Sequence, residues 1–263
     1  MFKTLFTAST GMNAQAFSLE NTSNNLANIN TNGFKKGQAD FQDLVYATQI
    51  QPGSDASQGL QVPTGLQIGS GARVDGITKI FTQGALTNTG NPLDIAIQGN
   101  GFFQVTLPSG ETRYTRDGGF RLNAQGNLVT SDGFLISPQI TIPADAVSIS
   151  IGTDGTVSVQ NAGATNASTP VGQLTLARFQ NPAGLSAEGR NLFGETVSSG
   201  PPITATPGLN GTGLVQQGFL ERSNVDVTTE LVNLILAQRA YEFNTRAIRT
   251  ADNMLASTTE LIR

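Results

Sequence analysis

Apolar side chains recur every seven residues at both ends of this chain and roughly every second residue in its middle. Near the start, Leu5, Met12, Leu19 and Leu26 keep a strict seven-residue interval, with Ala8, Ala16 and Ile29 beside them on one helical face. The pattern predicts a helix over residues 1–30. The same stretch carries Ser9, Thr10, Gly11, Asn13, Asn21, Asn24 and Asn25, all weaker helix formers than Ala or Leu, so the helix is marginal alone. In the last forty residues Leu234, Tyr241, Ile248, Leu255 and Ile262 repeat every seven, with Ala240, Ala247, Met254 and Leu261 in an adjoining column. This predicts a second helix within 223–263, entered through "SNVDVTTEL", where Asp226 or Thr228 can cap the first free amides. About 35 helical residues span about 50 Å, more than one small domain covers.

Between the helices the period shortens. "DIAIQGNGFFQVTLPSGETRYTRDGGFRLNAQGNLVTSDGFLI" and "VSISIGTDGTVSVQ" are short alternating runs split by Ser-Gly, Asp-Gly and Gln-Gly pairs, the chemistry of tight hairpins. The expected organisation is therefore an N-terminal helix (1–30), a connector (31–76) containing an extended Gly/Pro/Ser-rich segment (46–65), a β-rich body (77–197), a linker (198–222) and a C-terminal helix (223–263). The fold class is mixed α and β: terminal helices paired as a coiled-coil stalk, with an all-β meander domain inserted between them. Packing of each helix on the central body fits the periodicity equally well.

Composition narrows the chemistry. Charged residues make up 13% of the 263 positions and the formal net charge is −4, which gives no basic surface suited to nucleic acid. The chain has no Cys, His or Trp, which removes thiol catalysis, the usual general base near neutral pH and the usual zinc ligands. The N-terminus lacks the long apolar run of a secretory signal, so any export is expected to use another route. "GNGFF" (99–103) and "GSGAR" (69–73) contain Gly-x-Gly but do not complete a dinucleotide-binding fingerprint. Asp117, Asp132 and Asp154 each precede Gly at an expected turn, where Asp bonds the local backbone, and no calcium-loop spacing accompanies them. No Ser-x-x-Lys or Gly-x-Ser-x-Gly string occurs. No catalytic residue, metal ligand or cofactor is expected. Lys35 and Lys36, with Lys3, are too few for a polyanion site and are expected to be solvated or paired with Asp40 or Asp43.

Two motifs remain. "NNLANINTNGFKKGQADF" (24–41) places Asn24, Asn25, Leu26, Ala27 and Asn28 at the end of the first helix, then Thr31, Gly33, Phe34 and Lys35 in a turn. "SNVDVTTELVNLILAQRAYEFNTRAIRTADNML" (223–255) carries Ser223, Asn224, Val225, Glu230, Leu231, Gln238, Arg239, Ala240, Tyr241 and Asn244. Together they resemble the two terminal signatures of the bacterial flagellar axial proteins, the rod, hook and hook-associated subunits. The strings "PTGLQIGSGARV", "LDIAIQGNGFFQV" and "YTRDGGF", with the length, resemble the distal-rod branch most, the proximal rod subunit of similar size being next. The resemblance implies a structural, non-enzymatic subunit of the flagellar basal body, exported by the flagellar type III apparatus without a cleaved signal. It implies a helical homopolymer forming a hollow drive shaft across the periplasm or cell wall, with terminal helices as the inner wall. Implied partners are further copies, proximal rod proteins, the hook protein and any surrounding ring or bushing proteins. In that setting Leu5, Met12, Leu19, Leu26, Leu234, Tyr241, Ile248, Leu255 and Ile262 are expected to pack subunits.

Overall fold

The computed structural model describes residues 2–52, 55–57, 60–61, 64–161 and 168–261. Ile262 and residues 53–54, 58–59 and 62–63 of the expected extended segment lie outside the described residues. The chain divides into two compact units, one from Met1–Ala27, Gly37–Thr78 and Asp226–Arg263, the other from Asn28–Lys36 and Lys79–Val225.

The first unit is built on two helices, α1 (Phe2–Ala27) and α2 (Val227–Leu261). Asn25 meets Glu230, while Gly11 and Met12 meet Asn244 and Thr245, so the helices run antiparallel. The capping residue of α2 is Asp226: its carboxylate accepts from the Thr229 amide at 2.8 Å and its carbonyl from the Glu230 amide at 3.0 Å. Along α2 Leu234, Ile248 and Leu255 are half-buried, and the buried column beside them is Glu230, Ala237 and Ala251 with half-buried Asn244. Ala247 and Met254, from the expected adjoining column, face outward. Small residues took the inner column because the helices come close: a Cβ on Gly11 would sit 3.0 Å from the Asn244 amide nitrogen. On α1 Leu5, Met12, Leu19 and Leu26 are half-buried, while Ala8, Ala14, Thr22 and Asn25 are the buried positions.

Two strands, Gly37–Asp43 and Ala72–Lys79, pair in this unit, and a second pair joins Ala47–Ile50 to Leu66–Ile68 antiparallel. The stretch expected as connector thus carries ladders of its own. Asp40 accepts from the Thr78 hydroxyl at 2.7 Å across the first pair.

The second unit is β-rich, and its largest sheet has nine strands. At its centre Phe102–Thr106 is antiparallel to Thr112–Thr115, Leu135–Ser137 and Leu176–Arg178. The two-residue period of that strand separates the interior into two clusters. Phe103 and Val105 join Ile95, Phe120, Ile136 and Leu176, whereas Phe102 turns to Tyr114, Phe179 and Phe193. Edge-to-face aromatic pairs run through the second cluster, Tyr114 to Phe179 at 4.7 Å and Phe102 to Phe179 at 5.8 Å. Asp117 and Asp154 close their turns as local acceptors, for the Gly119 amide at 3.0 Å and the Thr156 amide at 3.1 Å. Gly118 is glycine for want of space, since a Cβ there would fall on the Ile95 carbonyl.

Tyr114 is nearly inaccessible, with its hydroxyl 3.4 Å from Glu195. Burial, reinforced by the Glu195 charge and opposed by Arg113, pushes its phenol up to about 12. Because the folded value lies above the ordinary 10.0, this group's contribution to stability is complete below pH 10 and is lost as the pH rises through about 12. Melting curves between pH 9 and 12 should fall less steeply for Tyr114→Phe than for the unaltered chain.

Candidate functional site

The two family-like motifs fold into two polar constellations, one in each unit. In the first unit Asn25, buried at the end of α1, grips Gly37 from both sides: its carbonyl oxygen accepts from the Gly37 amide and its amide nitrogen donates to the Gly37 carbonyl, each at 2.9 Å. Asn21 donates to the same carbonyl at 2.8 Å. The Asn25 amide also lies 3.3 Å from the Glu230 carboxylate of α2. An Asn side chain presents the donor and acceptor of a peptide group, so Asn25 fastens the start of strand Gly37–Asp43 to the helix as a neighbouring strand does. Asn24 is exposed.

In the second unit the residues after α1 form a turn seated on the β structure. Asn28 opens it, accepting from the Thr31 amide and hydroxyl at 3.2 and 3.1 Å. Gly33 adopts φ 68° and donates its amide to the Glu221 carbonyl at 2.8 Å. A Cβ at Gly33 would stand 2.7 Å from the backbone of Arg116 and Asp117, so both conformation and space demand glycine. Gly33→Ala should destabilise this unit by about 1–3 kcal/mol, read as a lower urea midpoint. Phe34 is half-buried, with the Lys79 ammonium 4.8 Å above its ring.

Lys35 overturns the expectation of a solvated lysine or an Asp40 or Asp43 partner. Its side chain is fully buried and its ammonium donates to Glu221 Oε1 at 2.6 Å and to the Thr82 carbonyl at 2.8 Å. Glu221 Oε1 also accepts from the Gly84 amide at 2.9 Å, and Oε2 lies 3.3 Å from Arg116 Nη1. The Arg116 guanidinium, itself buried, donates through Nη2 to the Gly99 carbonyl at 2.6 Å and lies 5.5 Å from the Phe102 ring centroid. One carboxylate thus serves two cations. Burial draws the Lys35 ammonium below its ordinary range, and the Glu221 charge opposes that shift. Strand pairing sets the carboxylate in place: Phe219–Glu221 runs antiparallel to Leu86–Asn88 with Glu221 opposite Leu86. Three residues further on, the Asn224 side chain accepts from the Lys36 amide at 2.8 Å and donates to the Ile80 carbonyl at 2.8 Å.

The remaining motif residues lie on α2. Gln238 is exposed, Arg239 is exposed and paired with Glu242 at 3.0 Å, Ala240 and Asn244 are half-buried, and Tyr241 is 41% exposed. Sequence reasoning passed over Glu221 and Arg116. Their only signal is a charge that directly follows apolar or β-forming residues, in "FLE" and "YTR". Among the described residues no group of three or more carboxylates could hold a metal ion.

This order, a motif-bearing helix before and after a β-rich middle, has counterparts along the chain's length. Residues 5–35 match the model of the flagella basal body rod protein family. Residues 96–159 match the D1 domain of the flagellar hook protein FlgE/F/G family, and residues 216–261 the flagellar basal body rod FlgEFG protein C-terminal family. The class so defined is that of the flagellar rod and hook proteins. Among curated relatives, the flagellar basal-body rod protein FlgG of Buchnera aphidicola subsp. Schizaphis graminum is 49% identical over 99% of this chain and 100% of its own. FlgG of Caulobacter vibrioides is 50% identical over 98% of each chain, and that of Bacillus subtilis 40% identical over the whole of both. The chain belongs to the FlgG family of flagellar basal-body rod proteins.

Proposed function

We propose that the chain is a structural subunit of the flagellar distal rod, joining copies of itself head to tail into a hollow helical shaft that carries torque from motor to hook. The observation that carries this reading is an apolar stripe on α2. Val232, Leu236, Phe243, Ala247 and Met254 are exposed and fall within about 60° of one another at 100° per residue. That stripe is turned away from the column of α2 that packs on α1. Phe6 and Phe17 share an outward face of α1 in the same way. A helix apolar on two faces needs two partners, and a contact between unlike surfaces that does not close on itself yields an open filament.

Proximal rod proteins and the hook protein are the partners this reading sets at the ends of the shaft. Ring or bushing proteins surround it, and the flagellar export apparatus delivers it. The role is mechanical, without catalysis: Asp117 and Asp154 are engaged by their own turns, and Lys35, Arg116 and Glu221 are committed to one another. The absence of native cysteine offers a direct test. A thiol introduced by Met254→Cys or Phe243→Cys should react with a maleimide in the dilute monomer and be protected in isolated rods. Equal labelling in both states contradicts the reading.

A further inference from the structure

A cavity of about 190 Å³ opens within the β-rich unit, lined among others by Arg116, Arg178, Phe81, Phe102, Phe179 and Gln180. Its charge is unbalanced. Arg116 shares Glu221 with Lys35, so two buried cations face one carboxylate, and the buried Arg116 Nε has no hydrogen-bond partner among the protein atoms. Arg178, the second guanidinium, donates to a neutral carbonyl, that of Asn210, at 2.9 Å. Among the described residues no carboxylate lines the cavity, although the chain as a whole carries −4. The rest of the wall combines Asn100, Gly101, Gln180 and Pro182 with three aromatic rings, Phe81 and Phe179 each packed edge-on against Phe102. A cationic recess that holds no carboxylate of its own and is walled in part by aromatic rings suits an anion that brings an apolar stem.

We propose that this cavity is a binding site for a carboxylate carried on a short apolar or aromatic group. The carboxylate engages the Arg178 guanidinium beside the buried positive charge of Arg116, and the stem lies against the rings of Phe81, Phe102 and Phe179. Two sources supply that chemistry, a free small organic acid or an acidic side chain of a second copy. The site rests on the charge and shape of the cavity and stands apart from the assembly reading.

The test is a titration of the isotope-labelled full chain, kept dilute and monomeric, followed by amide chemical shifts. Benzoate is the probe, benzamide its uncharged counterpart, and inorganic phosphate an anion without a stem. Benzoate should shift the amides of Gly101, Phe102 and Phe179 saturably, and the other two should not. Arg178→Gln should weaken benzoate about tenfold, the loss of one charge-assisted hydrogen bond, and Arg178→Lys should recover most of it. No saturable shift, an equal response to benzamide, tighter binding of phosphate, or indifference to Arg178→Gln in a folded variant each overturn the proposal. If Arg178→Gln does not fold, the contrast between benzoate and benzamide on the unaltered chain decides it. Assembly followed by light scattering separates the sources: benzoate slows it if the natural carboxylate belongs to a neighbouring copy, and leaves it unchanged if a free acid is the ligand.

Discussion

Glu221→Gln is expected to lower the unfolding free energy of the β-rich unit by about 3–5 kcal/mol, the range for stripping a buried charge of its partner. The wild-type carboxylate accepts from Lys35, Arg116 and the Gly84 amide at once. The neutral amide keeps the volume but leaves two buried cations facing each other without compensation. Lys35→Met should cost much less, because it removes one cation and leaves Glu221 matched to Arg116 alone. Urea unfolding followed by tryptophan inserted at Phe179, or by amide exchange of residues 95–106, reports on this unit without assuming that the whole chain melts together. A Lys35→Met loss as large as that of Glu221→Gln contradicts the view that one carboxylate neutralises both cations. A domain of this kind has about 5–15 kcal/mol of stability in total, so Glu221→Gln should also raise proteolysis in the cell.

The second large effect concerns assembly. Placing charge on the outer stripe of α2, as in Leu236→Asp with Phe243→Asp, should abolish rod formation and swimming. The melting temperature of the monomer should move little, since both side chains are more than 60% exposed. Buried between copies, each carboxylate would have to shed water without a partner. The control is Ala251→Asp, on the inner face of α2, where the residue is 6% exposed. There the helix pair itself should loosen, and circular dichroism of the monomer should show it. Normal motility of the outer double variant, with the protein present at its usual level, would exclude the stripe as a subunit contact.

The parts of this structure readable from sequence are those that depend on neighbours close in the chain. The α2 seam of Leu234, Ile248 and Leu255 follows from a seven-residue period, and its start from Asp226 ahead of an apolar run. The hairpins follow from Asp-Gly and Ser-Gly turns. The inner face of α1 was less legible. Its buried positions, Ala8, Ala14, Thr22 and Asn25, are small or polar, and the larger Leu5, Met12, Leu19 and Leu26 dominate any hydrophobic pattern from the rim of the contact. Burial there reflects close backbone approach, which apolarity does not record.

Least legible was the charge triad. Lys35 lies 186 residues from Glu221, and Arg116 lies 105 from it, so no local spacing links them. A nearby carboxylate, Asp40, offers itself to any reading by proximity, yet strand pairing gives Asp40 to Thr78. The asparagines at the end of α1 had a visible signature and a hidden purpose. Asn25 substitutes for a strand in binding Gly37, a role set by where the chain returns and not by the helix it belongs to.

The account turns on the chain being a subunit of the distal rod, and electron microscopy of basal bodies from a strain lacking this gene, beside its complemented strain, tests that most directly. The account predicts a proximal stub without distal shaft or hook, restored on complementation. Complete rods and hooks in the deletion strain would contradict it.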